Sequence, residues 1–136
     1  MTKRVDATAA ASGLLERLTQ QYGPLMFHQS GGCCDGSSPM CYPIGEFRIG
    51  DSDVFLGRIG STDTPFYIGG RQFEYWQHTA RTVDVVPGRG SGFSVEAPEG
   101  MRFLVRSRIF TDGEIRELEH EGGAPRGVQP PIGRAI

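Results

Sequence analysis

Read from the N-terminus, the first clear pattern of apolar and polar positions is helical. Leu14, Leu15, Leu18 and Tyr22 recur on one side of the chain, and Glu16, Arg17, Gln20 and Gln21 fill the other. That stripe predicts an amphipathic helix of about four turns resting on an apolar partner. Asp6 is the expected N-cap, and Gly23 followed by Pro24 is the expected stop.

From Leu25 the period shortens to that of a strand. Leu25-Met26-Phe27 is apolar throughout, and Tyr42 and Ile44 resume the pattern after a loop. Phe47 and Ile49 alternate with Glu46 and Arg48, which predicts a half-buried strand. Further strands are expected at Val54 to Ile59, Pro65 to Ile68, Thr82 to Val86, Phe93 to Glu96 and Met101 to Phe110, with Gly-, Asp- and Ser-rich turns between them. Turns at this spacing favour antiparallel neighbours. Arg71 to His78, opened by Gly69-Gly70, suits a short helix with Phe73 and Trp76 three apart. The expected core includes Leu14, Leu18, Phe55, Phe66, Trp76, Val85, Phe93 and Phe103. Beyond about Glu119 no period remains. The fold class that follows is α+β: an N-terminal helix packed on a mostly antiparallel, curved sheet. One domain is expected over residues 1–118, with a flexible tail over 119–136.

Composition narrows the function. The chain has 136 residues, 20 of them glycine, with a net charge of −2 and a pI near 5.9. That balance argues against a dedicated nucleic-acid or anionic-membrane binder. No apolar run reaches the roughly 20 residues of a membrane helix, and the N-terminus has no hydrophobic leader segment. A cytoplasmic, reducing home is expected, where clustered cysteines more often bind metal or react than pair as disulfides.

All three cysteines fall in one Gly- and Ser-rich stretch, His28-Gln29-Ser30-Gly31-Gly32-Cys33-Cys34-Asp35-Gly36-Ser37-Ser38-Pro39-Met40-Cys41. The candidate metal ligands are Cys33, Cys34 and Cys41, with His28 or His78 as the fourth group that zinc requires. Three thiols are too few for an iron–sulfur cluster in one chain, and a homo-oligomer sharing ligands across a two-fold axis removes that shortage. Two plainer readings stand beside it: small buried cysteines that only pack, and a Cys34–Cys41 disulfide. A third is a thiol enzyme with Cys33 or Cys34 as nucleophile and His28 or His78 as base, for which no orienting group is apparent. His28 follows Phe27 directly and is expected to face away from the core, as a hydrogen-bonding group of the loop or a ligand. Arg89, between glycines, suits a solvated turn or an anion contact. Asp51 and Asp53 are too few for calcium.

Two sets of residues resemble known families. Gly31-Gly32-Cys33 and Gly90-Ser91-Gly92-Phe93-Ser94-Val95-Glu96-Ala97-Pro98, in this order after strands, resemble the HesB-like A-type iron–sulfur carriers; the carriers' C-terminal cysteine pair has no counterpart in Met101 to Phe110. Phe27 to Ser37, Phe73 to Thr79 and Val83 to Gly90 resemble the signatures of a family of small bacterial proteins of unknown function. Members of that family are often encoded beside aldehyde dehydrogenases, which implies an accessory role. The expected function is therefore an accessory protein of aldehyde metabolism that holds a transition metal, an iron–sulfur species or a sulfur species on the cysteine loop. The alternative is an interaction module for an aldehyde dehydrogenase whose cysteines are structural.

Overall fold

The computed structural model describes residues 3–29, 37–88 and 94–120. Among them the chain runs β1 (Val5–Ala7), α1 (Ala9–Tyr22), β2 (Leu25–Gln29), β3 (Met40–Pro43), β4 (Val54–Ile59), β5 (Thr64–Ile68), α2 (Gly70–Trp76), β6 (Thr79–Pro87), β7 (Met101–Ile109) and α3 (Asp112–His120), with a 3-10 turn at Ala97–Glu99. This is an α+β fold. Its strands form two mixed sheets rather than one: β1-β6-β7 and β3-β2-β5-β4. The β2/β3, β4/β5 and β6/β7 pairs are antiparallel, whereas β1/β6 and β2/β5 are parallel.

One core joins the sheets. Phe27 of β2 stacks on Phe66 of β5 at 5.5 Å and meets Phe103 of β7 edge-on at 5.0 Å. Leu14, Leu15 and Leu18 of α1 complete this cluster, so the apolar stripe is buried as expected. Leu14, Leu18, Phe66 and Phe103 are fully buried; Phe55, Trp76 and Val85 are half-buried, and Phe93 lies outside the described residues. Tyr22, at the end of the stripe, is 39% exposed.

Four local differences from the sequence reading have physical causes. The cap of α1 is Thr8, whose Oγ1 accepts from Ala11 N at 3.1 Å and donates to Asp84 Oδ1 at 2.9 Å. Asp6 sits two residues too early, in β1, which pairs with β6 and is too short to show a period. Residues 44–53 are not a strand. Gly45 takes φ of 100°, and the segment turns back so that Phe47 stacks on Tyr42 at 5.1 Å instead of joining the core. Ser94 to Glu96 form a turn rather than a strand, because their side chains bond inward as described below. Finally, Asp112–His120 is helical: Thr111, just before it, and Glu114 form a capping box, Glu114 N donating to Thr111 Oγ1 at 3.2 Å and Thr111 N to Glu114 Oε1 at 2.9 Å. Leu118 buries against Ala80 and Phe110. The boundary drawn at residue 118 thus falls inside α3, and residues 121–136 of the expected tail lie outside the described residues. Among the described residues no helix is long and apolar enough to cross a membrane.

Candidate functional site

The cysteine loop leaves β2 after Gln29 and returns before β3. Ser30 to Gly36, and with them Cys33 and Cys34, lie outside the described residues, as does Arg89. The two feet of the loop are described, and both are fastened. Gln29 Nε2 donates to Ser37 Oγ at 2.8 Å, tying one foot to the other. Gly69 N donates to Gln29 O at 3.0 Å from the junction of β5 and α2, and Val105 N donates to Ser37 O at 2.9 Å from β7. Arg102 Nη1 adds a bond of 2.7 Å to Ser38 Oγ. One foot is therefore held by the four-stranded sheet and the other by the three-stranded sheet.

Gln29 also touches Arg81 of β6, whose Nη1 donates to Gln29 Oε1 at 3.4 Å. The guanidinium lies 5.8 Å from the centre of the Trp76 ring, within cation–π range. Neither Gln29 nor Arg81 was a candidate from the sequence. The register makes Arg81 visible in retrospect: it shares a strand face with Val83 and Val85, a cation in an apolar row.

Cys41 is placed very differently from a loop residue. It lies in β3 opposite Phe27 and is fully buried in the core. Its N–H donates to Ser94 Oγ at 2.8 Å, and its carbonyl accepts from Val95 N at 3.0 Å. Ser94 Oγ in turn donates to the Glu96 carboxylate by a short bond, and Phe103 N donates to Glu96 Oε2 at 3.3 Å. Burial, and then the nearby Glu96 carboxylate, push the Cys41 thiol well above its ordinary pKa. Burial likewise raises Glu96, against the lowering effect of its hydrogen bonds. A neutral, sealed thiol is suited to packing.

His28 faces away from the shared core, as expected, but it is buried rather than part of a loop. Phe47 covers it at 4.4 Å between ring centres, and its Nε2 stands 3.0 Å from Asp53 Oδ1. It is covered because residues 44–53 fold over the outer face of the sheet. Tyr67, on the neighbouring strand, is also buried, and its phenol is pushed up to about 12 mainly by burial. Asp53, with no metal role from sequence, instead closes a turn by accepting from Gly50 N at 2.8 Å and approaches His28. His78 is exposed just after α2, and its carbonyl accepts from Phe110 N at 2.9 Å. Among the described residues no three His, Cys, Asp or Glu side chains stand together as a metal-holding group, so Cys41, His28 and His78 do not converge by themselves.

No curated protein and no solved structure matches the chain. A family model described as a domain of unknown function, DUF779, matches residues 14–109, from the first core leucine of α1 to the end of β7. That span takes in the cysteine loop, its anchors, the four-stranded sheet and strands β6 and β7 of the other, and the chain belongs to the DUF779 family.

Proposed function

We propose that the chain is a thiol-bearing accessory protein that holds a thiophilic metal ion or a sulfur species through Cys33 and Cys34. The observation that carries this reading is the contrast between the cysteines' settings: both feet of the loop are fastened to a two-sheet frame, while Cys41 is withdrawn into the core as a neutral thiol. A loop rich in glycine and pinned at both feet gives the backbone the freedom to present two adjacent cysteines together. Two thiolates per chain leave a zinc or iron–sulfur site short of donors, so a second copy of the chain supplies the rest. When bound, such an ion would keep the thiolates deprotonated and offer a soft site for sulfur ligands. The partner that fits the resemblance is an aldehyde dehydrogenase in a reducing, cytoplasmic setting.

Metal and sulfane-sulfur analysis of protein purified without chelator tests the reading. The parent and Cys41→Ala are expected to carry the same load, and Cys33→Ser/Cys34→Ser to carry none. A parent free of both, or a load that follows Cys41 alone, contradicts it.

The His28–Asp53 pair favours one other reading, a thiol enzyme in which His28 serves as base for a loop cysteine and Asp53 orients the ring. In that case Asp53→Asn shifts the pH profile of Cys33 and Cys34 alkylation. An unchanged profile removes the reading.

A further inference from the structure

Among the described residues, a buried guanidinium with one idle nitrogen is the feature that the thiol reading leaves unused. Arg81 is 5% exposed, on the core-facing side of β6. Its Nη1 reaches Gln29 and its plane lies near Trp76, but its Nη2 is buried and has no hydrogen-bond partner among the described residues. Two further buried polar atoms share that condition, Trp76 Nε1 and Gln72 Oε1. Gln72 and Trp76 stand four residues apart on α2, on the helix face whose tryptophan meets Arg81. Two idle donors, Arg81 Nη2 and Trp76 Nε1, thus lie close together, with the idle Gln72 amide one helical turn from the tryptophan.

Leaving such a set unmatched is costly. A buried hydrogen-bonding group without a partner is destabilising, and a buried uncompensated charge more so. Water satisfies idle N–H groups but supplies no charge. Burial draws the Arg81 pKa down.

We propose that Arg81, Trp76 and Gln72 form a binding site for a small monovalent carboxylate. One negative charge neutralises one guanidinium, whereas a dianion buries a surplus charge in the same dry place. The two carboxylate oxygens match the two idle donors, Arg81 Nη2–H and Trp76 Nε1–H. The Gln72 amide, which rotates to present either oxygen or NH2, meets a polar substituent next to the carboxylate. Gln29, which holds the other guanidinium nitrogen, is the foot of the cysteine loop, so the anion sits at that loop's base. The site does not depend on the thiol reading, since none of its three residues is a cysteine.

Trp76 is the chain's single tryptophan, so its emission reports on the site directly. Sodium acetate is titrated into the full chain against sodium chloride at constant ionic strength, and emission and Tm are followed. A saturable emission change and a Tm that climbs with acetate are expected, with no such change in chloride. Arg81→Met removes an uncompensated charge, so it should fold with a Tm at or above the parent's and lose at least tenfold in acetate response. Trp76→Phe and Gln72→Leu, at half-exposed helix positions, should each weaken the acetate-dependent Tm rise severalfold. The proposal is overturned by a parent with no saturable response, or by a response unaltered in Arg81→Met. If Arg81→Met does not fold, a response unaltered in both helix variants overturns it equally. Tighter binding of sulfate than of acetate also overturns it.

Discussion

Ser94 links β3 to the turn at residues 94–96 with one hydroxyl. It accepts from Cys41 N and donates to the Glu96 carboxylate, and all three residues are buried. Ser94→Ala leaves an amide and a carboxylate without their partner, and a loss of about 1–3 kcal/mol is expected, read as a lower urea midpoint. Replacement without such a loss contradicts the bond's role. Cys41 makes a second, alkaline test. Its folded pKa is raised, so its contribution is whole below the unfolded thiol value of about 8.5 and is lost as pH rises beyond it. Cys41→Ala should flatten that alkaline fall in stability, and a fall of unchanged slope assigns it to other groups. Little of this was legible beforehand. Cys41 stands among Ser, Pro and Gly in sequence, and only its pairing with Phe27 turns it into a core residue. Its carboxylate neighbour lies 55 positions away by number (96 − 41), beyond any local pattern.

Elements were legible in proportion to their length and period. The 14 residues of α1 repeat their stripe long enough to declare it, and β4, β5 and β7 fall where alternation or apolar runs place them. Val5–Ala7 is too short for any period, and residues 46–49 alternate like a strand yet pack within a flap, because Tyr42 and His28 offer Phe47 aromatic partners. In α3 the signal was present: Thr111-Asp112-Gly113-Glu114 has the spacing of a capping box, hidden by Gly113 and by few apolar residues. Glu114 also receives a bidentate bond from Arg108, at 2.8 Å to each oxygen. That bond and the Thr111 N–H hold its carboxyl down at about 2. The folded pKa is depressed, so the support for α3 is present above the unfolded value of about 4.3 and fades as pH falls toward about 2. Amide exchange should show residues 112–120 losing protection across that window ahead of the core. Glu114→Gln should show the same loss at neutral pH, and protection unmoved by either change counts against the box. In the core, Phe103→Ala removes a ring from the Phe27 contact and is expected to cost about 3–5 kcal/mol. A urea titration showing under about 1 kcal/mol would mean that the ring is not central to the shared core.

At the scale of the whole molecule, two sheets of different topology hold the two feet of one loop. The loop was visible in the sequence from its composition, but its anchors were not. Gln29, Arg81, Ser37 and Val105 come together only through pairings between distant strands, and the parallel β2/β5 and β1/β6 pairs leave no turn between neighbours to announce them. The same pairings divide the cysteines, sending Cys41 into the core while the chain between Gln29 and Ser37 carries Cys33 and Cys34. That division is the central claim, and differential alkylation of the wild-type chain measures it most directly. After reduction and chelation, the native protein is pulsed with one isotopic form of an alkylating reagent, then unfolded and labelled with another, and each cysteine is read by mass spectrometry. The account predicts that Cys33 and Cys34 carry the first label and Cys41 almost entirely the second. Cys41 labelled in the native state as fast as its neighbours, or Cys33 and Cys34 as protected as Cys41, contradicts it.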